Sequence, residues 1–137
     1  MSSSAFRLAG VGVELVGVPR FEALLARHAA RLRPRVFQPG ELAYADRKGQ
    51  PSHSLAARFA AKVAARRALA GVLGRAPALR DVEVVRKRSG EPTLALRGPL
   101  AERSGAAGLR FTLTLTHDAE FALASVFAEH AAPEAGR

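Results

Sequence analysis

Arg58-Phe59-Ala60-Ala61-Lys62-Val63-Ala64 sits in the middle of the longest helical pattern in the chain. Around it, residues 54–73 carry Leu55, Phe59, Val63, Leu69, Val72 and Leu73 at helical spacing, with alanine filling the close contacts. Gly74 is a stop signal and Pro77 follows it. Arg58 and Lys62 stand at i and i+4, so they share a face of the helix. Taken alone, such a pair reads as a wet face. From Ser54 to Leu73 the pattern holds no Asp or Glu, and Val63 falls on the apolar stripe with Phe59.

Upstream, residues 8–16 form a short apolar run with two glycines, Gly10 and Gly12, and one acid, Glu14. The run predicts a buried strand, where glycine marks a bulge or a close approach by another group. Pro19 suits the first turn of a helix. Phe21, Leu24, Leu25, His28 and Leu32 then predict a helix over 20–32, with Arg20, Arg27 and Arg31 on its other faces. Pro34, Pro39 and Gly40 predict a loop over 33–40. A short helix is expected over 41–46 and a loose polar segment over 47–52.

Downstream, Val82 and Val84 alternate with charged residues and predict a strand over 81–87. Ser89-Gly90-Glu91-Pro92 reads as a turn, and residues 93–96 as the second strand of a hairpin. Residues 99–106 read as a short helix before a turn at 105–108. Phe111, Leu113 and Leu115 alternate with three threonines, a strand ending at His117. A turn leads into a last strand over 121–127. There is no βαβ alternation and no repeat. The expected class is α+β: a mainly antiparallel sheet with the long helix packed on it.

The 137 residues are one domain's worth, expected to span 8–130 with loose ends at 1–7 and 131–137. The richness in alanine and arginine fits a GC-rich genome, so the alanine runs carry little functional weight. A formal charge of +9 favours anionic partners. Arg31, Arg33 and Arg35 cluster around Pro34, without the motif or stacking aromatics that nucleic-acid binding usually shows, so nucleic acid is not expected. The absence of cysteine excludes disulfides, thiolate metal sites and a Cys nucleophile. No stretch reaches the roughly 20 apolar residues of a membrane span, and the first residues lack a signal-peptide core. The expected location is the cytoplasm, with no membrane partner.

Five stretches in order carry a resemblance. They are Gly10-Val-Gly12-Val-Glu14, Phe37-Gln-Pro-Gly-Glu41-Leu42, Ala57-Arg58-Phe59-Ala60-Ala61-Lys62, Asp81-Val-Glu-Val with Ser89-Gly90-Glu91-Pro92, and Leu113-Thr-Leu-Thr-His117. Together they resemble the motifs of the holo-acyl-carrier-protein synthase family, collinear over roughly residues 10–128. One such motif is weak, and five in order are specific. The resemblance implies the 4′-phosphopantetheinyl transferase fold. It also implies transfer of the 4′-phosphopantetheine arm of coenzyme A to a serine of an apo acyl carrier protein, leaving 3′,5′-adenosine diphosphate. Family members are homotrimers with sites at subunit interfaces. One subunit gives the acid of the first strand, the neighbour gives the signature helix, and two carboxylates hold Mg²⁺ on the pyrophosphate.

Carried over residue by residue, the resemblance implies that Arg58, Lys62 and His117 contact the coenzyme A phosphates. Arg67 stands where the family often has a second lysine. Glu14 is the metal ligand and, with Lys62 and His117, forms the catalytic set. Arg20 faces the carrier protein, and Arg27 extends that surface on charge alone. Two positions depart from the family pattern. Glu14 replaces an aspartate, moving its carboxylate out by one methylene. Val63 replaces the glutamate that is the second metal ligand and a candidate base. Two readings stay open. In one the chain is a transferase with altered metal binding. In the other the fold is kept and the protein binds or acts on carrier-protein-linked intermediates of fatty-acid, polyketide or peptide biosynthesis, with His117 and Glu14 as an acid–base pair.

Overall fold

The computed structural model describes residues 6–131, apart from the side chains of residues 6, 104–107 and 131. The order is β1 (Phe6–Gly17), α1 (Val18–Val36), α2 (Pro39–Asp46), α3 (Pro51–Leu73), β2 (Val82–Arg86), β3 (Pro92–Leu96), α4 (Gly98–Ala107), β4 (Leu109–His117) and β5 (Phe121–Ala131). Strands β1, β5 and β4 form one antiparallel sheet in that order, and β2–β3 form a separate antiparallel hairpin. The α+β class therefore holds, with the sheet divided in two.

The alternation of β4 works as read. Phe111, Leu113 and Leu115 pair with Ala128, Val126 and Ala124 of β5 and pack toward the core, while the threonines face out. On β5 the inward residues are Ala122, Ala124, Val126 and Ala128, all fully buried. The facing surface of α3 is equally small: Ala57, Ala60, Ala61, Ala64, Ala65 and Ala68 are all buried. The alanine runs are therefore the packing surface of the core, not a compositional by-product.

Small-on-small packing brings the helix backbone onto β1. A Cβ at Gly10 would stand 1.9 Å from the Ala68 carbonyl oxygen, and one at Gly12 would stand 1.8 Å from that of Ala64. Both are far inside contact distance, so the close approach that two glycines in a strand predict is the approach of α3. A register shift between Leu8 and Gly10 supplies the bulge as well. Gly74 ends α3 at φ +79°, the left-handed turn that glycine takes without strain.

Three expectations need correction. The loop over 33–40 is helix up to Val36: α1 bends at His28 (φ −132°, ψ 21°) and continues through Pro34. The loose segment over 47–52 is a short turn, with α3 already begun at Pro51. Phe6, Arg7 and Ala131, expected in loose ends, are strand residues: Phe6 and Arg7 of β1 pair with Ala131 and His130 of β5. Residues 1–5 and 132–137 lie outside the described residues. Among the described residues no helix is long and apolar enough to cross a membrane.

Candidate functional site

Two concave regions flank the N-terminal half of α3. The first is a cavity of about 440 Å³, within the usual size range of small-molecule sites. Helix α3 contributes Ser54, Ala57 and Arg58 to it, and the end of β4 contributes His117. Two of the expected phosphate contacts, Arg58 and His117, thus share one cavity. Lys48 and Arg86 join them, and no carboxylate is among the lining residues.

Tyr44 organises these cations. The Arg58 guanidinium lies 3.9 Å from the centre of its ring, Lys48 Nζ 4.7 Å and the Arg86 guanidinium 4.8 Å. A ring face attracts cations, and a partly desolvated one more strongly. Arg58 is 5% exposed; its Nη1 donates to Ser54 Oγ at 3.1 Å, and its Nε has no hydrogen-bond partner among the described residues. Burial lowers its pKa, opposed by Tyr44 and Glu41, yet an arginine keeps its charge. Burial raises the Tyr44 phenol, but the hydrogen bond from Lys48 and the charges of Arg86, Lys48 and Arg58 outweigh it, and the net direction is down.

Tyr44 is the chain's single tyrosine and there is no tryptophan, so an ultraviolet difference titration reads this cavity alone. We expect its midpoint below the ordinary value of 10.0, moving back up in Arg86→Ala. A midpoint at or above 10.0 in the unaltered protein contradicts this arrangement of charges.

Neither Tyr44, Lys48 nor Arg86 was legible as a site residue in the sequence. Lys48 falls in the segment read as loose. Arg86 carried one usable signal, since it continues the side of β2 on which Val82 and Val84 are buried, at the strand end.

The second region is a groove of about 560 Å³ on the other side of α3. Glu14, Arg20, Leu24 and Arg27 line it, and Phe21 and Phe59 pack at 5.1 Å between ring centres. The expected carrier-protein residues Arg20 and Arg27 therefore flank the same groove as Glu14. Register places Glu14 on the helix-facing side of β1, between Gly12 and Val16. Its Oε1 accepts from Arg67 Nη1 at 2.5 Å, and the same nitrogen donates to Val13 O at 2.6 Å. The first strand thus meets the Arg67 end of the signature helix within one chain.

Lys62 is not at either region. It is 0% exposed, and its Nζ donates to Glu41 Oε1 at 2.8 Å and to Val82 O at 2.5 Å. Burial lowers its pKa, opposed by the charge of Glu41 and its hydrogen bond. Glu41 accepts two further bonds, from Gln38 N at 2.8 Å and Val84 N at 2.9 Å. This set joins α2, α3 and β2 and leaves Lys62 no surface for a ligand. Its spacing from Arg58 suggested a shared wet face; both are instead buried, Lys62 against a carboxylate that sequence alone had placed before the helix.

Val63 is half-buried and lies outside the core cluster and its packed margin. Phe59, Val63 and Arg67 follow one another at i, i+4 and i+8, a single stripe of α3. That stripe passes Glu14, and it offers no acid. Magnesium prefers oxygen ligands, typically one or two carboxylates beside phosphates and water. Here the carboxylate of Glu14 is paired with Arg67, and Val63 has no oxygen in its side chain. Among the described residues no group of three or more His, Cys, Asp or Glu could hold a metal ion. These residues do not fit a magnesium site.

Comparison with known proteins now bears on this geometry. Residues 10–125 match the family described as the 4′-phosphopantetheinyl transferase superfamily. A holo-[acyl-carrier-protein] synthase of Halorhodospira halophila is 40% identical over 120 residues, 87% of this chain and 95% of that protein. One of Clavibacter michiganensis is 42% identical over 125 residues, 90% of this chain and 98% of that protein. Among solved structures, the ACPS–CoA complex of Chronobacterium ammoniagenes superposes with a TM-score of 0.76 at 28% identity, covering 92% of this chain and 98% of that one.

Proposed function

Since the chain belongs to the 4′-phosphopantetheinyl transferase superfamily, we propose that it is an enzyme moving the 4′-phosphopantetheine arm of coenzyme A onto a serine of an apo acyl carrier protein. The observation that carries this reading is the acid-free cavity, where Arg58, its Nε without a hydrogen-bond partner among the described residues, is joined by Lys48, Arg86 and His117. Coenzyme A is a multiply charged phosphate ester, and positive groups fixed in advance at its phosphates stabilise charge that grows there during reaction. The relatives named above are holo-acyl-carrier-protein synthases, and one structural neighbour is a CoA complex.

In the proposed reaction the serine oxygen bonds to the phosphorus that bears pantetheine. The bond from that phosphorus to the bridging oxygen of the pyrophosphate breaks. 3′,5′-Adenosine diphosphate leaves with that oxygen, and the serine proton passes to the Glu14 carboxylate. Arg58, Lys48, Arg86 and His117 hold phosphate oxygens, Tyr44 keeps their charges together, and Arg20 and Arg27 receive the acidic carrier protein. Lys62 has no direct part; it fixes α3 relative to α2 and β2.

Residues 8–130 serve as one unit on this reading, acting in the cytoplasm. Assembly is part of it as well. The cation cavity and the Glu14 groove lie on different sides of α3, so a neighbouring copy is needed to bring one beside the other. What supports such assembly is the outer face of the β1–β5–β4 sheet. There Leu8, Val11, Val13, Leu15, Phe121, Leu123 and Phe127 are 39% to 60% exposed, a patch of the kind that marks an interface. The threefold state is carried by the family resemblance.

The test is direct. Incubated with apo carrier protein and coenzyme A, the protein is expected to add one arm to the carrier serine, read by intact mass. Lys48→Ala and Arg86→Ala are each expected to raise KM for coenzyme A roughly tenfold, the loss of one charged hydrogen bond. Coenzyme A binding without any transfer favours the second reading, in which the fold handles carrier-bound intermediates. Neither binding nor transfer removes the proposal.

A further inference from the structure

The carboxylate that faces the signature helix is held by an arginine, where the resemblance leads one to expect a divalent cation. This follows from three placements already described. Glu14 is on the helix-facing side of β1, Arg67 meets it from α3, and Val63 stands one turn before Arg67 on the same stripe.

We infer that the Arg67 guanidinium does the work of the metal ion in this chain: it neutralises the pyrophosphate, so the protein binds and turns over coenzyme A without Mg²⁺. The inference rests on the transferase reading, and deepens it.

The arginine is built for the task. Its Nη1 donates to Val13 O at 2.6 Å and to Glu14 Oε1 at 2.5 Å, which fixes the plane of the guanidinium. Its side chain is 55% exposed, and Nε and Nη2 make no hydrogen bond to the described residues. Those two nitrogens form the edge that binds phosphate oxygens in a fork. A lysine offers a point charge and no such fork, so arginine at this position is not equivalent to the lysine of the resemblance.

Charge bookkeeping supports the exchange. An acid at position 63 would add a second negative charge beside Glu14, and an ion of charge +2 would offset the pair. With valine there is one negative charge, and one arginine offsets it. The substitution that removes the ligand thus removes the charge that the ion would have balanced. The helix supplies no replacement acid, and Glu41, which packs onto α3, has its oxygens occupied by Lys62, Gln38 N and Val84 N.

The test uses the whole protein and coenzyme A itself. Calorimetric isotherms for coenzyme A are recorded in excess EDTA and in millimolar Mg²⁺, and arm transfer is followed in both buffers. We expect affinity and rate to differ less than about threefold between them, a change of well under one charged hydrogen bond. Arg67→Ala is expected to weaken coenzyme A binding roughly 10- to 100-fold in EDTA. The double variant Val63→Glu/Arg67→Lys is expected to become metal-responsive, with Mg²⁺ tightening binding at least tenfold. Should Arg67→Ala unfold, the double variant and the unaltered protein still decide the matter.

Binding or transfer that vanishes in EDTA and returns with Mg²⁺ overturns the inference while leaving the transferase reading intact. Metal-indifferent binding with no transfer does the reverse: the cation assignment stands and the transferase reading falls. No coenzyme A binding in either buffer overturns both, because Arg67 then has no phosphate to neutralise.

Discussion

Gly12→Ala lowers the unfolding free energy by more than about 3 kcal/mol, above the usual range for overpacking a core. The added methyl would lie 1.8 Å from the Ala64 carbonyl oxygen, with the Ala64 carbon at 2.7 Å and the Ala68 nitrogen at 3.0 Å. All three are backbone atoms of α3, so no side chain can rotate away. Either the strand or the helix must move, and β1 is tied to β5 along its length. A small domain holds only about 5–15 kcal/mol in total, so loss of soluble folded protein is an acceptable outcome of the same kind. Gly71→Ala is the control. Gly71 lies in the same helix, exposed, with nothing within 4 Å of the added carbon. There alanine stabilises by roughly 0.5–1 kcal/mol through helix propensity. Urea denaturation of the two variants should therefore move in opposite directions. A Gly12→Ala midpoint equal to that of the parent would mean that α3 does not rest on β1.

Glu41→Leu and Lys62→Met each cost on the order of 3–5 kcal/mol, the usual result of leaving one partner of a buried ion pair uncompensated. The glutamate variant is the more damaging of the two. It strands Lys62 and also removes the acceptor of Gln38 N and Val84 N, while the lysine variant leaves those two bonds in place. An unsatisfied buried donor adds about 1–3 kcal/mol. The double variant should cost less than the sum of the singles, because no charge is then left alone. Denaturant unfolding of the four proteins closes the cycle. A Lys62→Met protein as stable as the parent but unable to bind coenzyme A would restore Lys62 to the ligand and refute its place in the core.

These two sites also show what the sequence disclosed. The strands with alternating residues, the long helix and its glycine stop were readable because periodicity and turn chemistry are local. Pro34 predicts a loop, yet α1 bends at His28 and runs on through Pro34 to Val36, a continuation that no local pattern announces. The glycines of β1 announced a close approach but not its partner, which lies more than fifty residues on, at Ala64 and Ala68. Arg58, Glu14 and His117 were findable through their family motifs. Lys62 was found by the same route, yet the motif marks a buried strut there. Tyr44 and Lys48 stand four residues apart, but Arg86 comes from β2, and only the packing of α2 and β2 beside α3 gathers them with Arg58. Arg67 was noted, but its bond to Glu14 joins residues 53 apart, beyond any local signal.

The strand order carries a consequence for biosynthesis. β1 precedes the other described elements, and among the described residues its only sheet neighbour is β5, with Phe6 opposite Ala131. A ribosome therefore extrudes an apolar, glycine-bearing strand that has no edge to join until residues near 131 have emerged. Closing that sheet joins contacts of high sequence separation, which slows folding and leaves the nascent strand open to wrong pairings. Helix α3 can form early from local contacts and can rest on β1 at Gly10 and Gly12, but the β5 alanines that complete its packing arrive last. The three-stranded sheet should thus close only once β5 has emerged, and chains arrested before β5 should be the ones that chaperones retain.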